Sequence, residues 1–111
     1  MARTRRTAFV PDALPIEVVD NPEESRYELR LAGRLIGLAA YRRRNGRIVF
    51  THTEVDESAE GRGFGSRLAA GALEHARQAG LDVVPLCPFM AQYIEQHPEY
   101  EGLLAPDYRD R

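Results

Sequence analysis

Asn45-Gly46 lies between two apolar runs, Leu35-Ile36-Gly37-Leu38-Ala39-Ala40-Tyr41 and Ile48-Val49-Phe50-Thr51-His52-Thr53-Glu54-Val55, and no other feature restricts the fold as much. Both central positions of a two-residue hairpin turn favour positive φ, which Asn and Gly tolerate best, so the two runs are expected to pair as antiparallel strands. Upstream, Gly33 separates the first run from Arg26-Tyr27-Glu28-Leu29-Arg30-Leu31, where polar and apolar residues alternate as in a half-buried strand. Asn21-Pro22-Glu23-Glu24 reads as the turn that joins this strand to a short apolar run, Ile16 to Val19. The first half of the chain is therefore an antiparallel meander of four strands.

After Val55 the period changes. An acidic loop, Asp56-Glu57-Ser58-Ala59-Glu60, leads into Gly61-Arg62-Gly63-Phe64-Gly65-Ser66, and Leu68, Ala69, Ala72, Leu73 and Ala76 then recur at helical spacing. The small side chains of that stripe let a helix lie closely on a sheet, and Gly80 is its expected stop. Leu81 to Leu86 reads as a short strand. Pro88, suited to a first helical position, opens a second helix to about Gln96, with Pro98 just beyond its end. Four strands, a helix, a strand, a helix and an irregular tail give an α+β chain of order ββββαβα. Residues 1–15 read as a flexible N-terminal arm and 16–111 as a single domain.

A length of 111 residues supports one core and no second domain. Hydrophobic residues at 43% and charged residues at 29% exclude a disordered or fibrous chain. The net charge of -2 provides no overall field for nucleic acid, so no nucleic-acid partner is expected. Local basic clusters at Arg3, Arg5, Arg6 and at Arg42, Arg43, Arg44, Arg47 read first as solvated faces. No stretch approaches transmembrane length, and the basic Met1 to Thr7 is not followed by the apolar run of a signal peptide; no membrane partner is expected. Cys87 is the single cysteine and the three histidines are scattered, so neither a disulfide nor a metal is expected, and a reducing, cytoplasmic setting fits.

A strand, an acidic loop and Gly-Arg-Gly-Phe-Gly-Ser opening a helix make a recipe for holding a phosphate. The first turn of a helix offers N–H groups without internal partners and a positive dipole end, and glycines let an anion approach the backbone. Two familiar phosphate loops do not fit: the Gly-Lys-Ser/Thr ending of a P-loop is absent, and a dinucleotide fingerprint belongs in a parallel β-α-β unit. Close packing of a helix start explains the same glycines equally well.

Glu60-Gly61-Arg62-Gly63-Phe64-Gly65-Ser66-Arg67-Leu68, following an antiparallel meander, resembles the acetyl-CoA pyrophosphate loop of GNAT N-acetyltransferases, whose pattern is Gln/Arg-x-x-Gly-x-Gly/Ala. Gly63 and Gly65 match the glycines, while Glu60 stands where the family has Gln or Arg; a cradle made of backbone does not depend on that side chain. His52-Thr53-Glu54-Val55, Val84-Pro85-Leu86-Cys87-Pro88-Phe89 and His97-Pro98-Glu99-Tyr100 resemble the small single-domain members of the superfamily, so the likeness spans Tyr27 to Leu104. It implies a mixed, mostly antiparallel sheet with two main helices, in which the fourth and fifth strands run parallel and then splay to admit the pantetheine arm. Pro85 fits independently, because proline suits a strand end where pairing has ceased. It also implies acetyl-CoA as co-substrate, held by Thr53, Val55, Glu60, Gly61, Arg62, Gly63, Phe64, Gly65, Ser66, Cys87 and Pro88.

Acetyl transfer to an amine needs a neutral nucleophile, donors for the developing oxyanion and a proton for the departing thiolate. Glu54 is the preferred general base, with His52 second. On an unbulged strand Phe50, His52 and Glu54 share a face, whereas the bulge usual in this strand of the family is expected to separate the pair. Cys87, at the end of the fifth strand and the start of a helix, is placed to protonate the leaving thiolate or to carry the acetyl group itself, or else is a buried small hydrophobe. Tyr93 is the nearest match to the tyrosine general acid of the superfamily. Phe64 and Phe89 are core or adenine-side contacts.

The function implied is transfer of an acetyl group from acetyl-CoA to an amine, a small molecule or a protein, by direct attack. Larger relatives build the acceptor pocket from helices between the first two strands, and here only Asp20 to Ser25 is available. A non-catalytic acyl-CoA-binding or sensing module is therefore the alternative. A third reading is an interaction domain whose Arg42 to Arg47 cluster recognises an acidic partner or the 3′-phosphate of the coenzyme.

Overall fold

The computed structural model describes residues 15–57, 61 and 63–109. Apart from Pro15, whose carbonyl accepts a hydrogen bond from the Ala32 N–H at 2.8 Å, the N-terminal arm lies outside the described residues. The hairpin forms as expected, with Asn45 and Gly46 both at positive φ, between β3 (Arg34–Arg44) and β4 (Arg47–Val55). β1 (Ile16–Asn21) and β2 (Arg26–Leu31) complete the meander, and β5 (Asp82–Pro85) joins beside β4 in parallel, so the sheet order is β1-β2-β3-β4-β5. The sheet is mixed and mostly antiparallel, in the order ββββαβα.

α1 (Phe64–Gln78) lies across one face. Its stripe of Leu68, Ala69, Ala72, Leu73 and Ala76 is fully buried against Tyr27, Leu29, Ala39, Ile48 and Phe50 of the sheet. Burying a side chain of Leu size contributes about 1.5–3 kcal/mol, and the alanines let the helix approach closely enough to collect it. The helix ends in a Schellman motif: Gly80, at φ +71°, donates to the Arg77 carbonyl and Leu81 to that of Ala76. A hydrogen bond of 2.6 Å between the Tyr27 hydroxyl and His75 Nδ1 ties the helix to β2.

Gly71 shows how tight this contact is. A Cβ built there would lie 2.7 Å from Val18 of β1. In an open helix Gly to Ala gains about 1 kcal/mol. Here overpacking costs about 1–3 kcal/mol, so Gly71→Ala is expected to lower the melting temperature, and a second change, Val18→Ala, to restore it.

α2 (Pro88–Gln96) has the bounds expected of it and packs beside α1, burying Met90 and Ile94. The tail differs from the expected irregular segment. Pro98–Leu103 forms a 3-10 helix, Leu104 makes a parallel bridge to Val83, and a short helix α3 (Pro106–Arg109) follows. Its order comes from contacts with β5, since Ala105 is buried and its N–H donates to the Val83 carbonyl at 2.9 Å.

On β2, Glu28 points to the face opposite α1 and is 2% exposed beneath Arg26 and Arg30, which bind it at 2.9 and 2.7 Å. The Asn21 side-chain hydrogen bond, then that of Arg30, hold its carboxyl down at about 2. A carboxylate lowered on folding stabilises the fold fully above the unfolded Glu value of about 4.3. That contribution is lost as pH falls through about 2. Glu28→Gln is expected to destabilise at neutral pH by about 1–3 kcal/mol and to flatten this acid dependence, as read by denaturant melts across pH.

Candidate active site

The alternation of β4 breaks at Thr51. Tyr41 of β3 faces Phe50 and Ala40 faces His52, so Thr51 is an extra residue, a β-bulge. Before it, Ile48 and Phe50 turn toward the helices; after it, Thr53 and Val55 do. His52 and Glu54 are thereby placed together on the opposite face. The expectation that a bulge separates them is corrected: it falls at Thr51, before both of them, and separates both from Phe50. His52 Nε2 and Glu54 Oε2 are 2.6 Å apart, and both side chains are exposed. Their register neighbours on β3 are Ala40 and Leu38.

β4 and β5 pair only from Arg47 and Asp82 to Phe50 and Pro85. There the Phe50 carbonyl accepts hydrogen bonds from the N–H groups of both Leu86 and Cys87, at 2.9 and 3.1 Å, and the strands part. Pro85 at the last rung has no N–H to offer a further one. Just past this point the Thr53 hydroxyl and the Cys87 thiol share a hydrogen bond of 3.3 Å.

Beyond the parting a cavity of about 410 Å³ is lined by Thr53, Val55, Gly61, Gly63, Phe64, Gly65 and Phe89. Gly63 is the N-cap of α1, at φ +77°, and the helix start has no side-chain cap and no acidic residue in its first turn. Its positive end therefore faces the cavity, with no acidic residue in the helix's own first turn. Nothing among the described residues lies within 4 Å of where a Cβ would sit on Gly61 or Gly63, both at positive φ, so those two glycines serve backbone conformation and leave space for a ligand. Gly65 differs: a Cβ there would meet the Phe89 ring at 2.9 Å, so its bareness admits the ring that forms one wall.

The GCN5-related N-acetyltransferase family matches residues 26–103, well over half of the chain. The chain belongs to that family. A GCN5-like protein from Staphylococcus aureus, solved by NMR in solution, superposes with a TM-score of 0.62 at 24% identity, over 80% of this chain and 87% of that one; at this identity the likeness shows the GNAT fold alone. No curated protein matches the chain.

Within the GNAT fold, the expected cofactor residues Thr53, Val55, Gly61, Gly63, Phe64 and Gly65 come together around one cavity. Ser66 is exposed on the first turn of α1, and Pro88 is exposed at the first position of α2; neither lines the cavity. Glu60 and Arg62 lie outside the described residues. Cys87 is buried behind Thr53, as the N-cap of α2. Tyr93 is not among the cavity residues: its ring stacks on His97 at 3.9 Å, and burial, then the Glu99 charge, push its phenol up. Phe64 and Phe89 both wall the cavity. The open-face residues Val49, Thr51 and Leu86 were not singled out by sequence reasoning. One signal for the bulge that exposes Thr51 was present, since the inward apolar positions change parity between Phe50 and Val55.

Proposed function

We propose that this GNAT domain transfers the acetyl group of acetyl-CoA to an amine. The observation that carries the reading is the cavity at the glycine-lined start of α1, continuous with Thr53 and Val55 where β4 parts from β5. In this reading the N–H groups of the first turn of α1 bind the pyrophosphate, and the edge of β4 past Phe50 takes the pantetheine arm. Thr53 and Cys87 then stand beside the reacting sulfur. Acetyl-CoA supplies the acetyl group as a thioester: the amine nitrogen bonds to the carbonyl carbon as the carbon–sulfur bond breaks, and the sulfur leaves as thiolate. His52 and Glu54, on the other face of β4, take the proton that the amine loses. The Thr53–Cys87 pair returns a proton to the thiolate.

Stabilisation by ligand tests the first half of the reading. Saturating coenzyme A or acetyl-CoA, at about 100 times its dissociation constant, is expected to add about 2.7 kcal/mol and raise the melting temperature by several degrees, while ATP does not. Release of free thiol with a panel of amines tests the second half. No stabilisation by either coenzyme form overturns the assignment.

One observation favours a second reading, a coenzyme-binding module without turnover. β1 and β2 are joined by a turn of only Pro22 to Ser25, so no helices enclose an acceptor there. Stabilisation by coenzyme A with no thiol release toward any amine would select it. Cys87→Ala is expected to slow turnover about tenfold and leave coenzyme binding intact; complete loss, with acetylated Cys87 found in the wild type by mass spectrometry, would instead make the thiol a covalent carrier.

A further inference from the structure

The face of the sheet opposite α1 carries a second cavity, of about 650 Å³, lined by Arg42, Arg44, Arg47, Val49, Thr51 and Leu86 together with the turn residue Asn45. Its orientation follows from register. Tyr41 and Phe50 are buried toward the helices, so Arg42 with Val49, and Arg44 with Arg47, face the other way. The groove starts at the hairpin and ends at Thr51 and Leu86, the residues flanking His52 and Cys87. It therefore opens onto the same face as the His52–Glu54 pair.

Its charge is compensated only at Arg47 among the described residues. Arg47 is held by Asp107 of α3 through two hydrogen bonds, at 2.7 and 3.2 Å, and Asp82 is its register neighbour on β5. Arg42 and Arg44 are exposed and pair with no acidic side chain among the described residues. Val49 and Leu86 add apolar surface, and Leu86 is 57% exposed. The coenzyme's phosphates do not explain these arginines. The glycine turn follows Val55, at the far end of β4 from Arg47, about 26 Å away at the rise of a strand.

We propose that this groove binds an acidic peptide segment whose lysine or terminal amine lies at His52 and Glu54, so that the acceptor is an acidic polypeptide. The proposal rests on the transferase reading for the fate of that amine, but not for the docking itself. From His52 the position of Val49 and Arg42 is about 10 Å along the strand, and that of Arg47 and Arg44 about 17 Å. An extended peptide rises at nearly the same rate, so carboxylates on the third to fifth residue from the amine meet the arginines. A mixed polar and apolar groove that runs along the strands suits such a segment better than a compact anion.

The test uses the whole chain, saturated with coenzyme A at low salt, and a fluorescein-labelled peptide with one lysine and glutamates on the third to fifth following residues. Fluorescence anisotropy is expected to show binding at least about tenfold tighter than for the same peptide with glutamines, with the difference shrinking as salt rises. Arg42→Glu with Arg44→Glu is expected to remove the preference, as is the milder Gln pair if the double reversal melts early. Equal binding of the two peptides, or a preference that survives both double variants, overturns the proposal. So does displacement of the peptide by an amino-sugar phosphate at equal concentration, which would make the site one for a compact anion. Acetylation of the lysine is read separately with acetyl-CoA. Arginine-dependent binding without acetylation keeps the groove and removes the transferase reading; acetylation of both peptides at equal kcat/KM does the reverse.

Discussion

Ser66→Asp is expected to weaken coenzyme A binding by about 30- to 100-fold while leaving the fold as stable as before or slightly more so. Ser66 is exposed on the first turn of α1, which carries no acidic residue. A carboxylate at this position complements the helix dipole and contributes about 0.3–1 kcal/mol to stability. The same charge lies within one helical turn of the N–H groups that the proposed reading assigns to the pyrophosphate. At about 6 Å, and with the effective dielectric of a protein surface, two unit charges repel by about 2.0–2.8 kcal/mol, which is the fold-change quoted. Stability and binding are thus driven in opposite directions by one substitution, which bulky replacements of the glycines cannot do. Gly63 is at positive φ and Gly65 abuts Phe89, so changes there disturb the protein as well as the site. Calorimetric titration with coenzyme A together with a denaturant melt reads both effects. Unchanged affinity would mean that the pyrophosphate does not sit on this helix.

The parts of this molecule governed by local rules were legible in its sequence. The Asn45-Gly46 turn, the buried stripe of α1, the glycine stop after it and the proline that opens α2 each follow from neighbours within a few residues, and each is found in place. What escaped depends on contacts between distant segments. The tail folds because Leu104 and Ala105 meet Val83, some twenty residues earlier, and nothing in its own period announces that. Gly65 is bare because of Phe89 on another helix. Tyr93 is an intermediate case: its stacking partner, His97, is only four residues on, at the C-cap of the same helix, but the general-acid expectation did not take that neighbour into account. The cavity was legible as a cradle of glycines, whereas the basic groove was legible only as a run of arginines. It took the register of β3 and β4 to show that alternate members of that run share a face with the His52–Glu54 pair.

That pair carries the largest expected effect on turnover. A protonated lysine cannot attack a thioester, and a positioned base contributes about 10²- to 10⁴-fold to such a step. His52→Ala and Glu54→Gln are each expected to lower kcat by about 100-fold or more, with little change in coenzyme affinity, because both side chains lie on the face opposite the cavity. The two side chains share a hydrogen bond of 2.6 Å, so in the proposed reading they act as a unit, one taking the proton while the other orients it. The double variant should therefore be hardly worse than either single one, since effects within a catalytic unit do not add. The pH dependence gives an independent readout. As pH approaches the lysine value of about 10.4, more of the acceptor is already neutral, and the deficit of each variant should narrow. Losses that multiply in the double variant, or a deficit that is constant with pH, would place the base elsewhere and leave His52 and Glu54 as a surface ion pair on a strand that only aligns the thioester.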